Sequence, residues 1–197
     1  MAMRKALIMV VLNVAAITQS SNPWNRFVST PSKITFEECQ GQIRHTLSQS
    51  SGPETTITYI QVSALQTKFL SLVSRGNISA ADLCLQLRPI FRGFVDQLEL
   101  FDQALGRFLK RKPKAFLRLL QEFVEQDDKR MFEIGGMLGN YGDEFLGGLD
   151  QQIEETKERI RAIKSTPKEY YPAIRAKCLD TLERILDNLN VANREKH

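Results

Sequence analysis

The densest chemistry in this chain is a run of cations near residue 110. Arg107, Lys110, Arg111, Lys112, Lys114 and Arg118 are interleaved with Phe108, Leu109, Phe116 and Leu117, and Pro113 sits among them. Cations at this density raise a positive local potential that suits phosphates, sulfated glycans or anionic headgroups. A helix C-terminus favours cations through its dipole, which accounts for Lys110 to Lys112 without any ligand. Lys114 and Arg118 come after Pro113, near the start of a further helix, where the dipole opposes them. That excess marks the six as a surface-binding site for an acidic protein, a glycan or an anionic lipid surface. The charge is local. Eight basic and three acidic residues lie between Arg88 and Arg118, against seven acidic and two basic between Gln121 and Glu144.

The second constellation is apolar. Phe91, Phe94, Leu98, Phe101, Leu105 and Phe108 alternate spacings of three and four, a seam that buries one stripe of a helix against its neighbours. Such a stripe belongs to the core; its alternative use is to line a cavity for a small hydrophobic ligand. Gly135, Gly136, Gly139, Gly142, Gly147 and Gly148, with Met137, Leu138, Tyr141, Phe145 and Leu146, form a turn between helices, or in the carrier reading a gate over that cavity.

Catalysis is poorly supplied, and the chain is read as no enzyme, with no cofactor. Of two histidines, His197 is terminal and His45 lies nearly two helical turns from Cys39. There is no nucleophile elbow, phosphate loop, Cys-x-x-Cys or His-Glu-x-x-His. Asp96, Glu99 and Asp102 share a side of the Phe-rich helix, but with no matching helix they form a wet outer face rather than a metal site. Nucleic acid is disfavoured as a partner, because no recognition motif accompanies the cations. Asn77-Ile78-Ser79 is an N-glycosylation sequon at Asn77, usable only in a eukaryotic secretory pathway. Cys39, Cys84 and Cys178 each fall on an apolar helical face; in an exported chain a Cys39–Cys84 disulfide is one expectation and small buried residues the other.

Export is inferred from the first twenty residues. Arg4 and Lys5 precede an apolar run from Ala6 to Leu12, and Val14 to Ser21 are small or polar. This is the layout of a secretory signal peptide (1–20), cleaved after Ala16 or Ser20, and it is too short for the roughly 20 apolar residues of a membrane span. The expected location is secreted, extracellular or periplasmic. Removing Arg4 and Lys5 lowers the formal charge of +4 to near +2.

The elements that must position these groups are helices. An extended arm (21–34), broken by Pro23 and Pro31, is tucked in by Trp24 and Phe27. Thr35 with Glu38 makes a capping box opening a helix to about Gln49. Ile57, Ile60, Ala64, Leu65, Phe69, Leu72 and Val73 trace a second helix stopped by Gly76. Ser79 with Asp82 opens a third, interrupted at Pro89, where the Phe-rich helix begins. Pro113 ends that helix or begins the next, which reaches Ile134. Asp143 caps a helix through Lys164 whose outer face carries Glu154, Glu155, Lys157, Glu158, Arg159 and Arg161. Thr166, Pro167 and Glu169 open the last, with a core face through Leu182, Ile185 and Leu189, and Pro172 able to shift its start by a turn. The expected fold is an all-α bundle of six or seven antiparallel-type helices, one domain over 35–190, with a frayed tail at 191–197.

Overall fold

The computed structural model describes residues 22–48, 63–141 and 148–195. The leader, the expected helical residues 55–62, the Asp143 cap, and Phe145 and Leu146 of the glycine-rich stretch lie outside the described residues. Among the described residues the secondary structure is all-α, with nine α-helices, one 3₁₀ segment and no strand. No helix there is long and apolar enough to cross a membrane. The contacts cluster into two compact units, Met1–Phe69 and Leu70–His197, where the sequence reading draws one domain over 35–190.

In the first unit, α1 (Pro23–Ser29) replaces the expected extended arm. Asn22 caps it, its Oδ1 accepting from the Trp24 N–H at 2.9 Å, and Pro23 takes the first helical position, where a missing N–H costs nothing. The seven residues gain their stability from packing. Trp24 and Phe27 are buried, Trp24 meets Phe69 edge-on with centroids 5.7 Å apart, and its indole N–H donates to Gln42 Oε1 at 2.8 Å. Helix α2 (Lys33–Ser48) starts two residues before Thr35. Ser32 and Thr35 exchange side-chain and backbone hydrogen bonds at 3.0 and 3.2 Å, a capping box one turn earlier than expected. Glu38 is thereby released, and pairs with Arg26 at 2.7 Å. Cys39 and Ile43 are buried, but Leu47 is exposed, so the core face of α2 ends before its last turn.

Helix α3 (Ser63–Ser74) straddles the boundary between the units. It closes in a Schellman motif: Gly76 donates to Val73 at 2.9 Å and Asn77 to Leu72 at 3.0 Å, with Gly76 at φ 94°, where a side chain would be strained. Asn77 then caps α4 (Ile78–Leu87) by accepting from Ala80 N–H at 2.9 Å, so the cap is Asn77 and not Ser79. Asp82 instead accepts from Gln86.

The Phe-rich helix is shorter than its periodicity suggests. Residues 88–94 form turns after Pro89, and α5 runs Val95–Arg111 with Phe94 as its uncapped N-cap. Phe91 therefore reaches the core from a turn, edge-on to Phe101 at 5.2 Å. Phe94 is 41% exposed and Leu98 half-buried, which corrects the expectation of a continuous buried stripe. Phe101, Leu105 and Phe108 are buried.

Pro113 begins α6 (Pro113–Glu125), which stops well short of Ile134. A 3₁₀ segment (Asp128–Glu133) leads into the short α7 (Ile134–Gly139). Helix α8 is Leu149–Lys164, and α9 is Pro172–Glu195, beginning at Pro172 rather than at Thr166 and continuing into the expected frayed tail as far as Glu195. Helix α5 packs on α4, α6, α7 and α8, and α8 pairs with α9, so α5 is central to the second unit. The two helices beyond the expected seven are α1 and α7.

Candidate functional site

The α5–α6 junction separates the six cations into two groups. Lys110 faces inward to α8, donating to Glu155 Oε2 at 2.6 Å and Glu158 Oε2 at 2.9 Å. Burial works against its charge, but these two carboxylates outweigh that and raise its pKa, while Lys110 holds the Glu158 carboxyl below its ordinary range. Arg118 is tied to Glu122 one turn along α6 at 2.9 Å, so its charge is partnered within its own helix. Arg107 is half-buried. Arg111, Lys112 and Lys114 remain exposed, with no ion pair among the described residues.

Backbone geometry explains why those three stay outside. Lys112 is non-helical (φ −139°, ψ 58°) between the helices, and Pro113 takes the first position of α6 with no side-chain cap. The orphan N–H groups of this helix start open beside the cations. The Gly76 turn lies against the same place: a Cβ added at Gly76 would stand 3.3 Å from Lys112 Cγ and 3.8 Å from Arg111 Cβ. This brings Arg75 to the junction. It is exposed, with Nε donating to Ser71 O at 3.3 Å and no ion pair among the described residues. Sequence reasoning missed it, because the contact spans more than thirty residues; the signal was an exposed cation at a glycine stop.

The other expected sites fare differently. Phe91, Phe101, Leu105 and Phe108 each have no accessible area. Their atoms face protein on all sides, so these four positions belong to the core. Phe94 and Leu98 stand partly outside that core. Cys39, Cys84 and Cys178 are free, buried thiols. Burial raises the thiol pKa of all three, Cys39 and Cys178 to about 12. Asn77 keeps its Oδ1 on the α4 cap, with its side chain half-exposed. No group of three or more metal-ligating side chains occurs among the described residues.

A second feature was not anticipated. Four buried charged side chains, Arg88, Asp102, Glu155 and Arg159, lie behind α7. Asp102, expected on a wet face, is 6% exposed and forms an ion pair with Arg88, which also donates to Glu133 at 2.9 Å. Burial, opposed by Arg88 and reinforced by Glu133 and Glu99, pushes the Asp102 carboxyl up to about 6. Arg159, expected on the solvated face of α8, is 1% exposed, as Glu155 is 8%. Its guanidinium donates to Leu138 O at 2.7 Å, Asn140 O at 3.2 Å and Glu155 Oε1 at 3.2 Å, and covers the Tyr141 ring at 4.7 Å. Two glycines make room for these groups. A Cβ on Gly106 would lie 2.6 Å from Arg159 Nη2, and one on Gly136 would lie 2.6 Å from Asp102 Oδ2.

These interactions hold α7 against α5 and α8 and leave an open cleft of about 620 Å³ in front of it. The cleft is walled by Glu99 and Gln103 of α5, the α7 glycines, Asn140, Tyr141, Gln152 of α8, and Ile185, Asn188 and Leu189 of α9. Ile185 and Leu189 were expected to continue the core face of α9; they line this cleft instead.

No protein-family model matches the chain, and no curated protein or solved structure matches it either.

Proposed function

We propose that this is an exported, non-enzymatic helical-bundle protein that binds an acidic partner, a glycan or an anionic membrane surface through the α5–α6 junction. The observation that carries this reading is the set of four exposed cations without ion pairs among the described residues, Arg75, Arg111, Lys112 and Lys114, at the uncapped start of α6. Elsewhere nearby, Lys110 and Arg118 are neutralised by Glu155, Glu158 and Glu122. Cations left without carboxylates while their neighbours are paired keep their potential available to a partner.

The test is a quadruple neutralisation, Arg75→Gln, Arg111→Gln, Lys112→Gln and Lys114→Gln, assayed on immobilised heparin, on vesicles containing phosphatidylserine and on poly-glutamate. Each cation near an anionic membrane surface contributes about 1 kcal/mol, so the four together shift affinity by orders of magnitude at low salt. Salt weakens the parent's binding, since charges beyond roughly 10 Å are screened at 0.1 M. The arm that responds identifies the partner class. Arg118→Gln serves as control and changes binding little. A quadruple variant that binds all three probes as well as the parent overturns the proposal.

A further inference from the structure

We propose that the cleft in front of α7 is a binding site for a small neutral saccharide, separate from the basic junction. Its polar lining consists of Glu99, Gln103, Asn140, Gln152 and Asn188. Four of these are primary amides, each able to donate and accept, and the fifth is an acceptor. No lining residue is a cation, and the one charge is negative, which disfavours phosphates, sulfates and carboxylates. An apolar ligand would strip water from polar side chains such as Glu99, Gln103 and Asn188 without replacing their hydrogen bonds, an unfavourable exchange. Adjacent hydroxyls, each a donor and an acceptor, answer amides and a carboxylate on opposing walls. Ile185 and Leu189 offer an apolar strip for the C–H face of a sugar ring.

The floor supports the same reading. The backbone of Gly135 and Gly139 lines the cleft, and a Cβ at Gly135 would meet nothing within 4 Å, whereas the missing side chain of Gly136 leaves its room to Asp102 behind α7. Arg159 holds the carbonyls of Leu138 and Asn140, and the ion pairs of Arg88 with Asp102 and Glu133 hold the start of α7. The wall is therefore set before a ligand arrives, which lowers the ordering cost of binding. The volume lies within the roughly 300–1,000 Å³ usual for small-molecule sites.

The experiment is a titration of the isotopically labelled full chain, followed by amide chemical shifts, with methyl glucoside, methyl galactoside and N-acetylglucosamine as probes. Expected are saturable shifts at Gly135, Gly136, Gly139 and Asn140, in the millimolar range or tighter, from at least one sugar, and none from glucose 6-phosphate or n-butanol. Gly135→Leu, whose side chain enters open space, and the wall variant Gln103→Leu with Asn188→Leu each weaken that response by about tenfold or more, a loss of about 1.4 kcal/mol. Because a Cβ at Gly135 meets nothing within 4 Å, the spectrum of Gly135→Leu away from α7 matches the parent. The proposal is overturned if no sugar produces saturable shifts at these glycines in the parent, if n-butanol or glucose 6-phosphate produces them equally, or if both variants respond like the parent.

Discussion

Replacing Gly106 by alanine sets local propensity against tertiary packing, and the two disagree in sign. Gly106 lies in the interior of α5, where alanine is favoured over glycine by about 1 kcal/mol. A bottom-up reading of the helix alone therefore expects stabilisation. The new methyl, however, would lie 2.6 Å from Arg159 Nη2, 2.7 Å from Cζ and 2.8 Å from Nη1. The guanidinium is the end of a flexible side chain, but it is held by Leu138 O, Asn140 O and Glu155 and is almost fully enclosed. Moving it gives up at least one charge-assisted hydrogen bond, about 1.5–3 kcal/mol, and overpacking adds about 1–3 kcal/mol. Less the propensity gain, Gly106→Ala destabilises by about 1.5–5 kcal/mol, a drop in Tm of roughly 3–20 °C for a chain of this size. Chemical denaturation with calorimetry on the same samples gives both quantities. In an Arg159→Met background, where the clashing group is absent, the cost of Gly106→Ala shrinks or reverses, so a double-mutant cycle isolates the contact. A Gly106→Ala variant as stable as the parent, or an equal cost in both backgrounds, would refute the argument.

The neighbouring glycines extend the contrast: Gly136→Ala destabilises through Asp102 Oδ2, whereas Gly135→Ala is neutral or stabilising by up to about 1 kcal/mol, and thermal melts rank them. Phe101→Ala costs about 3–5 kcal/mol in urea denaturation, whereas Phe94→Ala, at a partly exposed position, costs under about 1 kcal/mol. Native protein at neutral pH resists iodoacetamide at Cys39, Cys84 and Cys178, because burial keeps all three thiols protonated, and intact mass shows three adducts only after unfolding. Asp102 has a folded pKa of about 6 against an ordinary value of 3.8, so between those limits the folded state holds a proton that the unfolded state has released. Its contribution therefore falls as pH rises through that window, and Asp102→Asn, compared with the parent at both ends, lacks that fall; equal pH dependence in the two would contradict it.

Local signals carried the helical class of this protein and much of its punctuation. Spacings of three and four marked buried positions of α5 and α6, and Pro113 and Gly76 marked boundaries that stand where the chain chemistry puts them. These are short-range effects of backbone sterics and amphipathic burial, legible within a window of one or two turns. Where two local signals competed, neighbours from elsewhere in the chain decided. Glu38 was available to cap α2, yet Arg26 took it and Ser32 capped with Thr35. Helix α1 had Asn22 and Pro23 as legible start signals, but seven residues hold their shape only because Trp24 and Phe27 are buried. The fate of each charge was not legible at all. Arg159 and Asp102 follow the same helical spacing as exposed neighbours, and only Gly106 and Gly136, far off in sequence, provide the space that encloses them. The cations near Pro113 were identifiable as a cluster from type and spacing alone. Tertiary packing alone decided that Lys110 is neutralised by α8 and that Arg75 joins the junction, because pairing depends on which helices meet across more than thirty residues, a relation that no local window contains.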